Sequence, residues 1–293
     1  MLAVLAPSCS EGGQADERLL VVATTTILGD VVANVVGDDA RLEVIMPRGA
    51  DPHDFEASSR QVALIAEADL VVMNGLDLEE GLEDVIDNAR ADGTPVLEVA
   101  PGLDPLPFTD HEEEADAHDL DPHVWLDPLR MADAARLIAQ RLTEELPGVD
   151  WTTRADNFAA ELVAAHARME TALAAIPPER RLLVTNHDAL GYFAIRYGFE
   201  VVGVVIPGGS TLAEPGSQEL AALVAVIDER GLSAIFAETI EPTDLAEAIS
   251  ADADHPVQVV ALHTGSLGDP GTATDTLIGM LEENARLIAE ALG

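Results

Sequence analysis

The sequence predicts an α/β protein of two parallel-sheet (β/α) lobes joined by a long helix. Short apolar runs alternate with stretches of 3.6-residue periodicity, and the alternation occurs in two passes along the chain. Between the passes, residues 150–176 carry one sustained helical stripe of Phe158, Leu162, Ala165, Met169, Leu173 and Ile176, which Pro177-Pro178 ends. In the first pass, residues 19–23, 42–46, 70–73 and 95–99 read as strands. Residues 27–36, 58–68 and 78–92 read as the helices between them, with Ser58 or Ser59 capping the second. Residues 101–121 dissolve into Pro, Asp, Glu and His and read as loop, after which 128–146 is helical. A helix over 150–176 would extend about 39 Å, long enough for a strut between lobes. In the second pass the strands fall at 182–185, 201–206, 234–237 and 257–262, and the helices at 189–197, 217–230, 242–251 and 274–292, with Ser217 placed to cap the second helix. The expected organisation is a lobe over 18–150, a linking helix over 151–177 and a lobe over 178–293, with strands joined by right-handed crossovers.

Composition limits the function. The 293 residues carry 54 Asp and Glu against 15 basic residues, all of them arginine, for a formal net charge of −39. A polyanion of this kind gains nothing from counterion release at phosphate, so a nucleic-acid partner is excluded. With 48% hydrophobic residues the chain has ample apolar surface to bury, and it is read as a folded monomer. The single cysteine, Cys9, leaves no internal disulfide and no thiolate metal cluster. No apolar run approaches the roughly 18–20 residues that span a bilayer. Residues 1–17 join a short apolar run ending at Pro7-Ser8-Cys9 to a polar tether, which reads as the tail of a lipoprotein signal. A lipid on Cys9 would anchor the chain to the membrane surface outside the cytoplasm without spanning it.

The histidines carry the chemistry. In open parallel sheets, ligands collect in the crevice at the carboxyl ends of the strands. His53 follows the second strand, His187 follows the first strand of the second pass, and His123 stands between the acidic loop and a helix, in Asp121-Pro-His-Val-Trp-Leu-Asp-Pro128. Neutral imidazoles from separate segments suit Zn²⁺ and other first-row divalent ions.

These segments also carry a family resemblance. Pro52-His-Asp-Phe-Glu56, Ala68-Asp-Leu-Val-Val-Met-Asn74, residues 121–128, Thr185-Asn-His-Asp-Ala-Leu-Gly-Tyr-Phe193 and Ile235-Phe-Ala-Glu238 resemble, in order, the metal-binding solute receptors of zinc and manganese ABC importers. The resemblance runs over nearly the whole chain from about Leu19. It implies a metal in the cleft between two lobes joined by a rigid helix, a membrane permease as partner, and His53, His123 and His187 as ligands. In that family a Glu at the third position accompanies manganese and a His accompanies zinc, so the implied ion is Zn²⁺ before Mn²⁺. The fourth family ligand is usually an Asp at a position that reads Gly265 here. Glu238 is the candidate to take its place, as ligand or as hydrogen-bond partner of a ligating histidine, with Asp269, His263 or water as further options. The acidic loop with His111 and His118 occupies the place of that family's His-rich loop. It reads as a solvated charge run or a low-affinity capture segment.

The expected function is extracytoplasmic capture of zinc for an importer, without catalysis, and with affinity falling as the pH drops through about 6. Two readings from other classes stand beside it. One is a zinc hydrolase with three histidines and an open position for water, although no His-Glu-x-x-His helix is present. The other is an adhesive surface lipoprotein with a structural metal. A manganese receptor of the same family is the nearest alternative.

Overall fold

A computed structural model describes residues 18–108 and 120–293. The first lobe runs β1 (Leu19–Ala23), α1 (Thr26–Val36), β2 (Ala40–Val44), α2 (Ser59–Ala66), β3 (Leu70–Met73), α3 (Glu83–Ala91), β4 (Val96–Glu98) and α4 (Pro128–Glu145). Helix α5 (Trp151–Leu173) follows. The second lobe runs β5 (Leu182–Thr185), α6 (Gly191–Tyr197), β6 (Glu200–Val204), α7 (Ser217–Arg230), β7 (Ala234–Glu238), α8 (Asp244–Asp252), β8 (Gln258–Leu262) and α9 (Leu277–Leu292). Each lobe holds one four-stranded parallel sheet, ordered β2-β1-β3-β4 and β6-β5-β7-β8. The two sheets therefore share a topology, with the first strand of each lobe flanked by its second and third.

Two-residue alternation along the strands decides which helices cover which face. In β1, Val21 and Ala23 pack toward α1, α4 and α5, while Leu20 and Val22 pack toward the layer of Ile45, Ile65 and Ile86. In the second lobe, Leu183, Ala234 and Phe236 face α5, α6 and α9, and Val184, Ile235 and Ala237 face α7 and α8. One apolar cluster reaches from the inner face of the first sheet through α5 to the inner face of the second. Helix α5 is shorter than the expected 150–176, at 23 residues or about 35 Å. Ile176 beyond its end is still buried. Asp150 caps its start through Thr153 N at 3.1 Å, and the buried Trp151 adds a ring N–H to Leu146 O at 3.2 Å.

Trp151→Ala should destabilise the protein by about 3–5 kcal/mol, since it removes a fully buried indole from the cluster between the lobes. Urea unfolding measures this, and a loss below about 1 kcal/mol would mean that the cluster does not hold the lobes. Ser217 is not the cap of α7. That position is Gly216, whose N–H is taken by Glu219 Oε2 at 2.7 Å, and Ser217 is the first helical residue. Ser58 does stand at the cap position of α2, where its N–H and its hydroxyl both donate to Gln61 Oε1, at 2.8 and 2.7 Å.

Candidate metal centre

The site forms where loops from the carboxyl ends of both sheets converge. His53 and His123 arrive by the same local device. In Asp51-Pro-His53 the Asp51 Oδ1 accepts the His53 backbone N–H at 3.0 Å, and in Asp121-Pro-His123 the Asp121 Oδ1 accepts that of His123 at 2.9 Å. An Asp closing a turn over a φ-fixed proline sets the histidine's direction before any tertiary contact forms. The second turn is also tied to the end of β3, because Asn74 Nδ2 donates to Pro122 O at 3.0 Å. His187 leaves the end of β5, where Thr185 Oγ1 donates to His187 O at 2.8 Å and Asn186 N donates to Phe236 O at 3.0 Å.

The three imidazoles meet. Their ring centroids lie 5.5, 5.5 and 4.9 Å apart. One ring nitrogen from each falls within a span of 4.8 Å, and all three side chains are buried. His187 Nε2 stands 3.0 Å from His123 Nε2. On the far side of His123, Nδ1 lies 2.7 Å from Asp121 Oδ1. On the far side of His187, Nδ1 pairs with Glu238 Oε1, whose second oxygen accepts the hydroxyl of Thr264. Both rings are thus turned by a buried carboxylate so that their Nε2 atoms face each other. Neither ring nitrogen of His53 has a hydrogen-bond partner.

Burial sets the charges. It drives the pKa of His53 down to about 3, helped by the neighbouring imidazoles, and holds His123 well below the ordinary range. Burial alone would lower His187 as well, but the charge and hydrogen bond of Glu238 outweigh it and raise it above 6.5. The same pairing holds Glu238 below the ordinary carboxylate range against its burial. Burial pushes Asp121 up to about 8, opposed by the His123 backbone N–H. Two of the three rings are therefore neutral at physiological pH, the state that binds a metal.

Of the residues expected from sequence, His53, His123 and His187 are brought together. Glu238 stands behind His187, on Nδ1, outside the set of three facing donors. His263 lies apart, with Nδ1 3.2 Å from Thr239 Oγ1, and Asp269 is exposed. At Gly265, an added Cβ would lie 2.5 Å from Ile240 Cδ1 and 3.2 Å from Pro52 Cδ, so Ile240 fills the space that an aspartate side chain would enter. Trp125 and Tyr192 are packing residues that also donate, to Thr264 O at 2.5 Å and to Asp121 O at 2.7 Å. Cys9, His111 and His118 lie outside the described residues.

Sequence reading passed over Asp121 and Asp51 as parts of the site. The signal was present, since both histidines follow an Asp-Pro pair. Asp51 also accepts the Thr211 hydroxyl from the opposite lobe at 2.5 Å.

Residues 21–291 match the family model of zinc-uptake complex component A, periplasmic. The chain belongs to this family. Among the family's relatives, it is 34% identical to the zinc-binding protein TroA of Treponema pallidum over 289 residues, which covers 97% of this chain and 92% of TroA. It is 29% identical to the manganese-binding lipoprotein MntA of Halalkalibacterium halodurans over 301 residues, covering 100% and 96%. The solved structure of the Treponema pallidum periplasmic zinc-binding protein TroA superposes with a TM-score of 0.86 at 32% identity, covering 94% of this chain and 99% of that one. The two-lobe α/β architecture of the zinc-uptake component A family is thus the architecture of this chain. No helix among its described residues is long and apolar enough to cross a membrane.

Proposed function

We propose that this chain captures Zn²⁺ outside the cytoplasm and delivers it to the membrane permease of an ABC importer, without catalysis. His53, His123 and His187 hold the ion, and Glu238 and Asp121 orient two of those rings. The observation that carries this reading is the convergence of three buried imidazoles, one from each of three separate segments, with two Nε2 atoms turned inward by carboxylates on Nδ1. An all-nitrogen donor set favours Zn²⁺ over Mn²⁺, which prefers more oxygen. The zinc-binding and manganese-binding names both occur among relatives, and it is the chemistry of His187 that selects zinc.

The divisions 18–150, 151–177 and 178–293 act as two lobes and a linking helix. With α5 packed against α1, α4 and α9, release proceeds by small tilts and loop shifts rather than by a wide hinge opening. A lipid on Cys9 would hold the receptor at the membrane surface as a monomer.

Chelator-stripped protein offered Zn²⁺ and Mn²⁺ side by side tests the assignment. One Zn²⁺ per chain, retained against excess Mn²⁺, is the expected result. Preferential retention of Mn²⁺ would reassign the cargo, and no stoichiometric uptake of either ion would reject a receptor function.

A further inference from the structure

We propose that Glu80 is the positioning carboxylate of His53, supplied from the point where the two lobes meet over the site. The inference rests on the zinc-receptor reading above and adds to it a residue that the family pattern of ligands does not include. Its starting point is an asymmetry. His123 and His187 each rest Nδ1 on a buried carboxylate, whereas His53, 3% exposed, has neither nitrogen partnered. A neutral imidazole that gives one nitrogen to a metal carries its proton on the other, and that N–H needs an acceptor to fix the ring.

Glu80 is placed to be that acceptor. Its Oε1 lies 3.9 Å from His53 Nδ1, so an approach of about 1 Å would make a normal hydrogen bond. The two residues line one cavity of about 180 Å³ at the mouth of the site, together with Asp77, Phe108, Pro122 and Ser210. The backbone beneath Glu80 is fixed. Leu76 and Asp77 hold left-handed conformations at φ 56° and 58°, and the buried Glu79 locks the turn by accepting from Asn74 N at 2.7 Å, Gly75 N at 3.1 Å and Thr24 Oγ1 at 2.7 Å. The Glu80 side chain itself is 42% exposed and has room to swing.

Its present partner explains what the swing would do. Ser210 Oγ, from the second lobe, donates to the same Oε1 at 2.9 Å. Closing Glu80 onto His53 pulls on the lobe-to-lobe contact at the mouth. Occupancy of the site and closure of the cleft are thereby linked through one carboxylate, while Asp121 and Glu238 stay fixed.

The test compares zinc affinity, by chelator competition on the full chain, for the unmodified protein and for Glu80→Ala, Glu80→Gln and Ser210→Ala. Glu80→Ala should bind zinc about 10- to 100-fold more weakly, the usual cost of losing a carboxylate behind a ligating histidine. Glu80→Gln keeps an acceptor and should recover most of that loss. Ser210→Ala removes only an exposed hydrogen bond and should change affinity by less than about fivefold. In the zinc-loaded unmodified protein, nitrogen-15 spectra of labelled histidine should show a protected His53 Nδ1–H that disappears in Glu80→Ala. Unchanged affinity in Glu80→Ala would overturn the proposal, and so would an equal loss in Ser210→Ala. Loss of one oxygen from the zinc coordination shell in Glu80→Ala would also overturn it, by making Glu80 a ligand. Failure of the unmodified chain to take up zinc would instead strike the functional reading itself, and is recognised because it precedes every variant.

Discussion

Replacing His53 with alanine is expected to weaken zinc binding by roughly two to three orders of magnitude while changing the stability of the metal-free protein by no more than about 1 kcal/mol. The first figure follows from sharing the roughly 10–16 kcal/mol of a four-ligand zinc site among its donors, which gives each about 2.5–4 kcal/mol. The second follows from the partners of His53. Both ring nitrogens are buried without a hydrogen bond, so removing the ring relieves an unsatisfied polar group, and that relief offsets the cavity left behind. A histidine kept for structure would behave oppositely, with a large stability loss and little effect on zinc. His187→Ala is a poorer probe of the same point. It leaves Glu238 buried with the Thr264 hydroxyl as its remaining side-chain hydrogen bond, and stranding a buried charge costs about 3–5 kcal/mol. Urea unfolding and chelator competition on His53→Ala separate the two effects. A stability loss of several kcal/mol with zinc affinity unchanged would remove His53 from the site.

The second large effect is in pH. Three solvent-exposed imidazoles would release up to three protons to zinc, with affinity collapsing as the pH fell through about 6. The structure predicts a shallower slope starting at higher pH. Asp121, His123, His187 and Glu238 form one chain of three hydrogen bonds, which needs three protons. An ion held by both Nε2 atoms takes the place of the middle proton and leaves the two on Nδ1. Binding therefore releases one proton, and acid opposes binding. The window follows from the shifts. Asp121 and His187 are both shifted upward and are the two places for that one extra proton, which is held into the neutral range, whereas His53 takes up a proton only near 3. Zinc affinity should fall as the pH drops through the neutral range, by at most about tenfold per pH unit for the one proton released. Calorimetric titration in buffers of different ionisation enthalpy counts the protons directly. A count near three, or an affinity flat between pH 5 and 7, would contradict this arrangement.

Much of this was legible in the sequence because the relevant signals are local. The runs 19–23 and 70–73 and the stripe from Phe158 to Leu173 announce strand and helix by periodicity alone, and Pro177-Pro178 marks where the stripe must end. His53, His123 and His187 stood out because each sits at a junction between elements. The sheet order was not legible, since it depends on which strands pair across the lobe and not on any one strand. Helix ends drifted for similar reasons. Asp150 and Gly216 fix where α5 and α7 begin, and residues 274–276 precede α9, whose start is set by Thr276 accepting from Gly279 N at 3.2 Å. Within the site, Glu238 could be marked as relevant, but whether it faced an ion or a histidine depended on the direction of the His187 ring. The part proposed for Glu80 depends on a turn with two left-handed non-glycine residues, which periodicity does not reveal.

The proposed arrangement has three imidazoles from both lobes around the ion, and zinc K-edge X-ray absorption on the singly loaded protein reads that shell itself. The expected shell has three imidazole nitrogens at about 2.0–2.1 Å, with at most one further light ligand in the place that Gly265 leaves without a side chain, and one imidazole fewer in His53→Ala. A shell with one imidazole or none, or a shell unchanged by that substitution, would contradict it.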